Sequence, residues 1–215
     1  MANEAFFKEA IDSIVDHDKG AAEDVAKRAI AAGVTPQDIM QNGFIVGIRQ
    51  VGDAFDEGEV YLPELMLGAA AMEAAMAICN AALPEGESET RGVVVIGTVE
   101  GDVHDIGKAI VCAYLRANGF EVHDLGRDVP VDAFIDKAIE VKADVIGASA
   151  LLTATMRKQA EILAELDERG IRGDFKFVVG GAPCTPEYAD SIGADAYAAD
   201  ANDGVKKIEA LLGIK

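Results

Sequence analysis

The spacing of hydrophobic positions changes once along the chain, near residue 90. Before that point apolar residues recur at helical intervals. Leu62, Leu65, Met66, Ala69, Met72, Met76 and Cys79 advance in three- and four-residue steps, which is one face of a helix. Thr35-Pro36 reads as a helix start, with a hydroxyl at the N-cap and Pro at the first helical position. A second start falls at Tyr61-Leu62-Pro63, and breaks fall at Lys19-Gly20, 33–36 and 57–59. The pattern predicts four helices with short connections, an antiparallel bundle over residues 1–83. Residues 84–91 are polar, acidic and carry Pro and Gly, and they read as an exposed linker.

After the linker the period shortens. Val93-Val94-Val95-Ile96-Gly97 is a β-branched run of the kind found in strands buried on both faces. Further strands are expected at 121–125, 144–149, 175–179 and 195–197, with helices at 106–118, 131–141, 155–169, 187–191 and 204–212. Five strands alternating with helices predict a parallel, doubly wound sheet of flavodoxin-like or Rossmann-like order over residues 92–215. Such sheets bind ligands beyond the carboxyl ends of their strands, which singles out the loops 98–105, 125–130, 149–155, 180–185 and 199–204.

Composition narrows the function. Half of the 215 residues are hydrophobic, enough for a sizeable core. Lys plus Arg is 19 against 38 Asp plus Glu, a net charge of −19. That surface repels phosphate backbones and anionic lipid, so neither nucleic acid nor a membrane is expected as a partner. Cys79, Cys112 and Cys184 are far apart and suggest no disulfide framework, as in a reducing cytoplasm. The first residues carry acids early and do not read as a signal peptide, and no stretch resembles a membrane span.

The candidate chemistry sits at three strand ends. The loop Thr98-Val99-Glu100-Gly101-Asp102-Val103-His104-Asp105-Ile106-Gly107 has neither a dinucleotide fingerprint nor a phosphate P-loop. It offers one imidazole between two carboxylates, a ligand whose tautomer a carboxylate can fix. A lone His makes a weak zinc site but suits a cofactor lacking only an axial ligand. The same residues also read as a solvated surface His. The third strand ends in Gly147-Ala148-Ser149-Ala150-Leu151-Leu152-Thr153-Ala154-Thr155, where small residues leave room for a bulky group and hydroxyls can bond it. Thr153 or Thr155 could instead simply cap the next helix. Gly180-Gly181 permits close contact with a flat ligand, or is a tight turn.

Together these segments resemble the cobalamin-binding domain of corrinoid methyl carriers, a module also similar to that of methionine synthase. The family pattern Asp-x-His-x-x-Gly, Ser-x-Leu, Gly-Gly corresponds to Asp102-x-His104-x-x-Gly107, Ser149-x-Leu151 and Gly180-Gly181. The string FDEGEVYLPELML at 55–67 is similar to the family's helical cap, so the resemblance covers essentially the whole chain. It implies a helical cap followed by a cobalamin-binding α/β domain. It also implies that His104 is the lower axial cobalt ligand, displacing the cofactor's own base, and that Asp102 bonds the far nitrogen of His104. Thr155, or less readily Ser149, would extend this relay. Gly107 would let the nucleotide tail pass, and Ser149, Leu151, Thr153, Gly180 and Gly181 would line its pocket. Tyr61, Met66 and Met72 are candidates to cover the cobalt's upper face, although each reads first as bundle core.

The implied function is that of a non-catalytic carrier subunit. It would take a methyl group on cobalt from a substrate-specific methyltransferase of a methylamine, methanol or related system. A second methyltransferase would pass the group to a thiol or folate, and a reductive activation protein would restore the cofactor. A mutase small subunit shares the His motif but lacks such a cap, and a cobalamin light sensor adds a DNA-binding module. The relay implies that Asp102→Asn alters control of ligation with little effect on stability, and the linker implies a cap that swings during transfer.

Overall fold

The computed structural model describes residues 2–83 and 90–214. It divides into two compact units, one built on residues 1–90 together with 116–119, the other on 91–115 and 120–215. Residues 84–89 of the expected linker lie outside the described residues.

The first unit is helical: α1 (Ala2–Val15), α2 (Lys19–Ala31), α3 (Pro36–Ile39), α4 (Ile45–Asp56) and α5 (Leu62–Ala81). A π-helical turn, Met40–Phe44, joins α3 to α4, so the two run on as one widened helix and the bundle keeps its expected four members. Thr35 caps α3 as its sequence suggests, its Oγ1 accepting the Asp38 N–H at 3.1 Å with Pro36 following. The break expected at Lys19-Gly20 lies slightly earlier. Those two residues open α2, Asp18 accepts the Ala21 N–H at 3.0 Å as its cap, and His17 turns the chain at φ 59°.

Helix α5 packs against α2, and α1 against α4. Leu65, Ala69, Met72, Met76 and Cys79 of α5 are buried, the face read from the sequence. At 20 residues, with a mean hydropathy of 1.4 over 18 of them, α5 is long and apolar enough to cross a membrane, where no such stretch was expected. Its apolar row is instead committed to the bundle core. Close approach of α1 depends on two glycines four residues apart. A Cβ on Gly43 would come within 2.7 Å of Ala10 Cβ, and one on Gly47 within 2.9 Å of the Ile11 carbonyl.

The second unit alternates strands and helices: β1 (Val93–Thr98), α6 (Ile106–Ala117), β2 (Glu121–Asp124), α7 (Val131–Val141), β3 (Val145–Ser149), α8 (Thr153–Glu168), β4 (Lys176–Gly180), α9 (Pro186–Ile192), β5 (Ala196–Ala198) and α10 (Ala201–Leu212). The strands are all parallel in the order β2-β1-β3-β4-β5, the flavodoxin-like order. Helices α8 and α10 start two and three residues earlier than the hydrophobic pattern alone indicates, because their first turns are polar or small. A single 3-10 turn at Arg172–Asp174 leads into β4.

The two faces of this sheet are filled unequally. Val95, Ile146, Phe177 and Val179 point to one face and pack with Phe134 and Ile135 of α7 and Ile162 and Leu166 of α8 in a dense core. The alternate residues point to the other face, where Ile96 pairs with Gly147 and Gly147 with Val178, and Thr98 pairs with Ser149 and Ser149 with Gly180. Small side chains in the middle of that face leave space beneath α6 and α10.

The bundle seam gives a direct stability test. Gly47→Val should destabilise the protein by about 2 kcal/mol through overpacking. Gly52→Ala, in the same helix with open space around its Cβ, should raise stability by roughly 0.5–1 kcal/mol. Urea unfolding followed by circular dichroism reads both; equal effects would show that α1 does not rest on α4 as described.

Candidate functional site

The site is built at the carboxyl end of the sheet around one buried carboxylate. Asp102 lies in the loop between β1 and α6 and is fully buried. The loop is braced at both ends. The Asp102 N–H donates to the Val99 carbonyl at 3.1 Å, and the Asp102 carbonyl accepts the Asp128 N–H at 3.0 Å. Asp128 in turn accepts the Gly101 N–H at 2.7 Å, with Gly101 at φ 81°.

Both oxygens of the Asp102 side chain are occupied as acceptors. Oδ1 accepts the backbone N–H of His104 at 3.1 Å and faces its ring Nδ1 at 2.7 Å. Oδ2 accepts the N–H of Leu151 at 2.8 Å, the N–H of Leu152 at 3.2 Å and the Thr155 hydroxyl at 2.8 Å. The Thr155 oxygen is also 2.8 Å from the Leu152 carbonyl, but its single proton favours the charged acceptor. Burial alone would push the Asp102 pKa up. Hydrogen bonds from the His104 ring and backbone, Leu151 and Thr155 outweigh that and hold the carboxyl well below the usual carboxylate range.

An ionised carboxylate can only accept, so Nδ1 of His104 carries a proton, and in the neutral ring Nε2 is the nitrogen left with a lone pair. The backbone of His104 is fixed as well, its carbonyl accepting the Thr98 hydroxyl at 3.0 Å. The ring itself is about half exposed, and no described residue bonds Nε2. The exposed apolar side chains of Val103, Ile106 and Leu151 line the same cavity as His104. His104 is therefore an oriented imidazole whose tautomer is set, standing beside apolar side chains. The second acid of the motif, Asp105, stands before α6 and borders the cavity described next.

A cavity of about 760 Å³ opens beside His104 and runs beneath α6 and α10 along the hollow face of the sheet. Gly107, Ser149, Leu151, Gly180 and Gly181 line it. Thr153 does not. It is the exposed first residue of α8, and the turn at Leu152 carries it away from the cavity. Thr155, not Ser149, is the hydroxyl that reaches Asp102, and neither Thr153 nor Thr155 caps α8 through its side chain. Gly181 permits the wall to exist: at φ 118°, a Cβ there would lie 1.8 Å from the Ala150 carbonyl oxygen. A Cβ on Gly107 would meet nothing within 4 Å, so the helix start leaves the entrance clear.

Several contributors escape sequence reading. Gln159, fully buried in α8, donates from its amide to the Ala148 carbonyl at 2.8 Å and the Gly180 carbonyl at 3.1 Å. It ties together the ends of β3 and β4, and its own oxygen faces the Cys184 thiol at 3.4 Å. Lys108 is buried in an ion pair with Asp124, whose carboxylate also accepts the Gly126 N–H at 2.8 Å. Lys108 stood inside the motif string, but its partner lies on another strand and no local spacing marks it. Among the cap candidates, Met72 is buried in the bundle core, whereas Tyr61 and Met66 are exposed.

A buried acid, an oriented imidazole and a long apolar cavity together fit the needs of a large cofactor with a metal and an arm, and the residues suit a corrinoid. Sequence comparison agrees. The B12 binding domain family matches residues 92–208, and a second B12 binding domain family matches residues 7–80. The chain is 46% identical over 215 residues to trimethylamine corrinoid protein 1 of Methanosarcina mazei, covering 99% of this chain and 100% of that one. It is 46% identical over 213 residues to the dimethylamine corrinoid protein of Methanosarcina barkeri, covering 99% and 100%. A solved methanol:cobalamin methyltransferase complex from Methanosarcina barkeri is similar with a TM-score of 0.85 at 32% identity, over 97% of this chain and 80% of that one. The chain belongs to the B12-binding corrinoid proteins of methylamine-type methyltransferase systems.

The occupied oxygens of Asp102 revise one sequence expectation. An amide at 102 must turn its NH2 toward N–H donors on one side or the other, so Asp102→Asn cannot be thermally silent. It should cost about 2 kcal/mol through unsatisfied buried donors. The carboxylate's lowered pKa also sets the acid response. Its stabilisation is complete above the ordinary value of 3.8 and is lost as pH falls below that toward the lowered folded value. Urea midpoints measured from pH 6 down to pH 3 should therefore fall more steeply for the wild type than for Asp102→Asn. Parallel curves would show that Asp102 is not held ionised by these bonds.

Proposed function

We propose that this chain is a methyl carrier whose corrinoid is held through Nε2 of His104, with the cofactor's own lower base withdrawn into the cavity. The observation that carries the reading is the Asp102–His104 pair at the mouth of that cavity. The cobalt, once bound, supplies the centre that takes and gives up the methyl group. The chain's residues supply the setting. Asp102 keeps the His104 proton on Nδ1 and can draw it closer or release it, which tunes how strongly Nε2 donates. Thr155 and the Leu151 and Leu152 amides hold Asp102 in place. Val103, Ile106 and Leu151 offer an apolar bed for a flat macrocycle and exclude water from beneath it.

The carrier works between enzymes, and the chemistry of donor and acceptor belongs to them. We assign the donor system to methylamines, because the trimethylamine and dimethylamine corrinoid proteins share 46% identity with the chain and the methanol-system protein 32%. A substrate-specific methyltransferase loads the carrier, as a methyltransferase is joined to the related protein in the methanol complex. A second methyltransferase unloads it to a thiol or folate, and a reductive activation protein rescues oxidised cofactor. Cys79, Cys112 and Cys184 are buried and form no disulfide among the described residues, which suits a cytoplasmic setting.

The test is spectroscopic. The protein is labelled with nitrogen-15 histidine, reconstituted with hydroxocobalamin and reduced to the cobalt(II) form. Its electron paramagnetic resonance spectrum should show the superhyperfine splitting change with the label, and His104→Ala should abolish that change. Splitting that ignores the label would place the cofactor's own base on cobalt and overturn the assignment.

A further inference from the structure

The cavity has a floor, and its chemistry differs from that of the mouth. Helices α6 and α10 start at the carboxyl end of the sheet and run back along it, so residues late in each helix lie deep. At the mouth stand His104, Ser149 and Asp200. At the deep end the lining comes from Val94, early in β1, Val111 and Leu115 on α6, and Ile208 on α10. Val94 and Leu115 are fully buried and Ile208 nearly so, which closes that end. All four are hydrocarbons.

The backbone there offers nothing more. Val94 is paired on both sides, with Val122 of β2 and Val145 of β3, and α6 and α10 use their own carbonyls and amides within the helix. Among the described residues, the floor therefore presents no free hydrogen-bond donor or acceptor.

Resting on the reading above, in which the cofactor's lower base enters this cavity, we propose that the Val94, Val111, Leu115 and Ile208 floor selects that base: it takes an apolar aromatic base of the benzimidazole class and rejects purines. Size does not decide between them, since a cavity of about 760 Å³ admits either. Polarity does. A benzimidazole brings mostly hydrocarbon and a single free ring nitrogen. Adenine brings several ring nitrogens and an exocyclic amine, each of which leaves water without a partner on this floor. One such unsatisfied group weakens binding by roughly tenfold or more.

The experiment uses the full-length apoprotein and equilibrium dialysis against three corrinoids with the same ring: one with a dimethylbenzimidazole base, one with adenine, and cobinamide, which has no nucleotide. The benzimidazole form should bind at least about tenfold more tightly than the adenine form, and also more tightly than cobinamide. Val94→Thr and Leu115→Asn each place a polar group on the floor and should narrow the gap between the two bases. Equal affinity for the two bases, cobinamide binding as tightly as the benzimidazole form, or a gap unchanged in both folded variants would each overturn the inference while leaving corrinoid binding intact. Failure to bind any of the three would instead overturn the proposed function itself.

Discussion

Everything at the carboxyl end of the sheet depends on keeping one carboxylate ionised in a buried position. Asp102 has no exposure to water, and such a charge is tolerated only when its lone pairs are filled by donors. The donors come from two loops. His104 bonds one oxygen, and Leu151, Leu152 and Thr155 bond the other. The same contacts that stabilise the charge therefore join the ends of β1 and β3, orient the imidazole and fix its tautomer. Ligand geometry and local stability are a single property here, and a change that loosens one must loosen the other.

The second constraint is the inequality of the two sheet faces. A parallel sheet of this size is normally filled on both sides. Here Phe134, Ile135, Ile162 and Phe177 fill one side completely, while Gly147, Ser149 and Gly180 leave the other hollow along its middle. Gln159 ties the ends of β3 and β4 together, and Gly181 lets the chain pass close to Ala150, despite that hollow. The dense face supplies rigidity, so the open face can carry a cavity without collapse.

Much of this was legible in the chain. The change of hydrophobic period separated helical from α/β regions, and the strand order followed from the handedness of the crossovers. Asp102, His104 and Thr155 were singled out in advance, and the structure brings them together. What was not legible falls into physical kinds. Backbone amides such as those of Leu151 and Leu152 carry no sequence signal, so the filling of both Asp102 oxygens, and with it the cost of an amide there, could not be read. Long-range partners such as Lys108 with Asp124 and Gln159 with Gly180 need the fold first. Thr153 was misplaced because a hydroxyl at a strand end looks alike whether it faces a cavity or the solvent. Met72 and Met66 share a helical stripe, and only packing separates the buried one from the exposed one.

The central claim is that Asp102 holds the His104 proton on Nδ1, and so sets the tautomer of the ring, before any cofactor arrives. It is tested most directly by nitrogen NMR of the apoprotein labelled with nitrogen-15 histidine, with the His104 signals assigned by comparison with His104→Ala. For the neutral form of the ring the account predicts that Nδ1 is protonated and bonded to a carboxylate, and that Nε2 has the shift of an unprotonated, pyridine-type nitrogen. A proton on Nε2 with Nδ1 bare, or rapid averaging of the two tautomers, would contradict it.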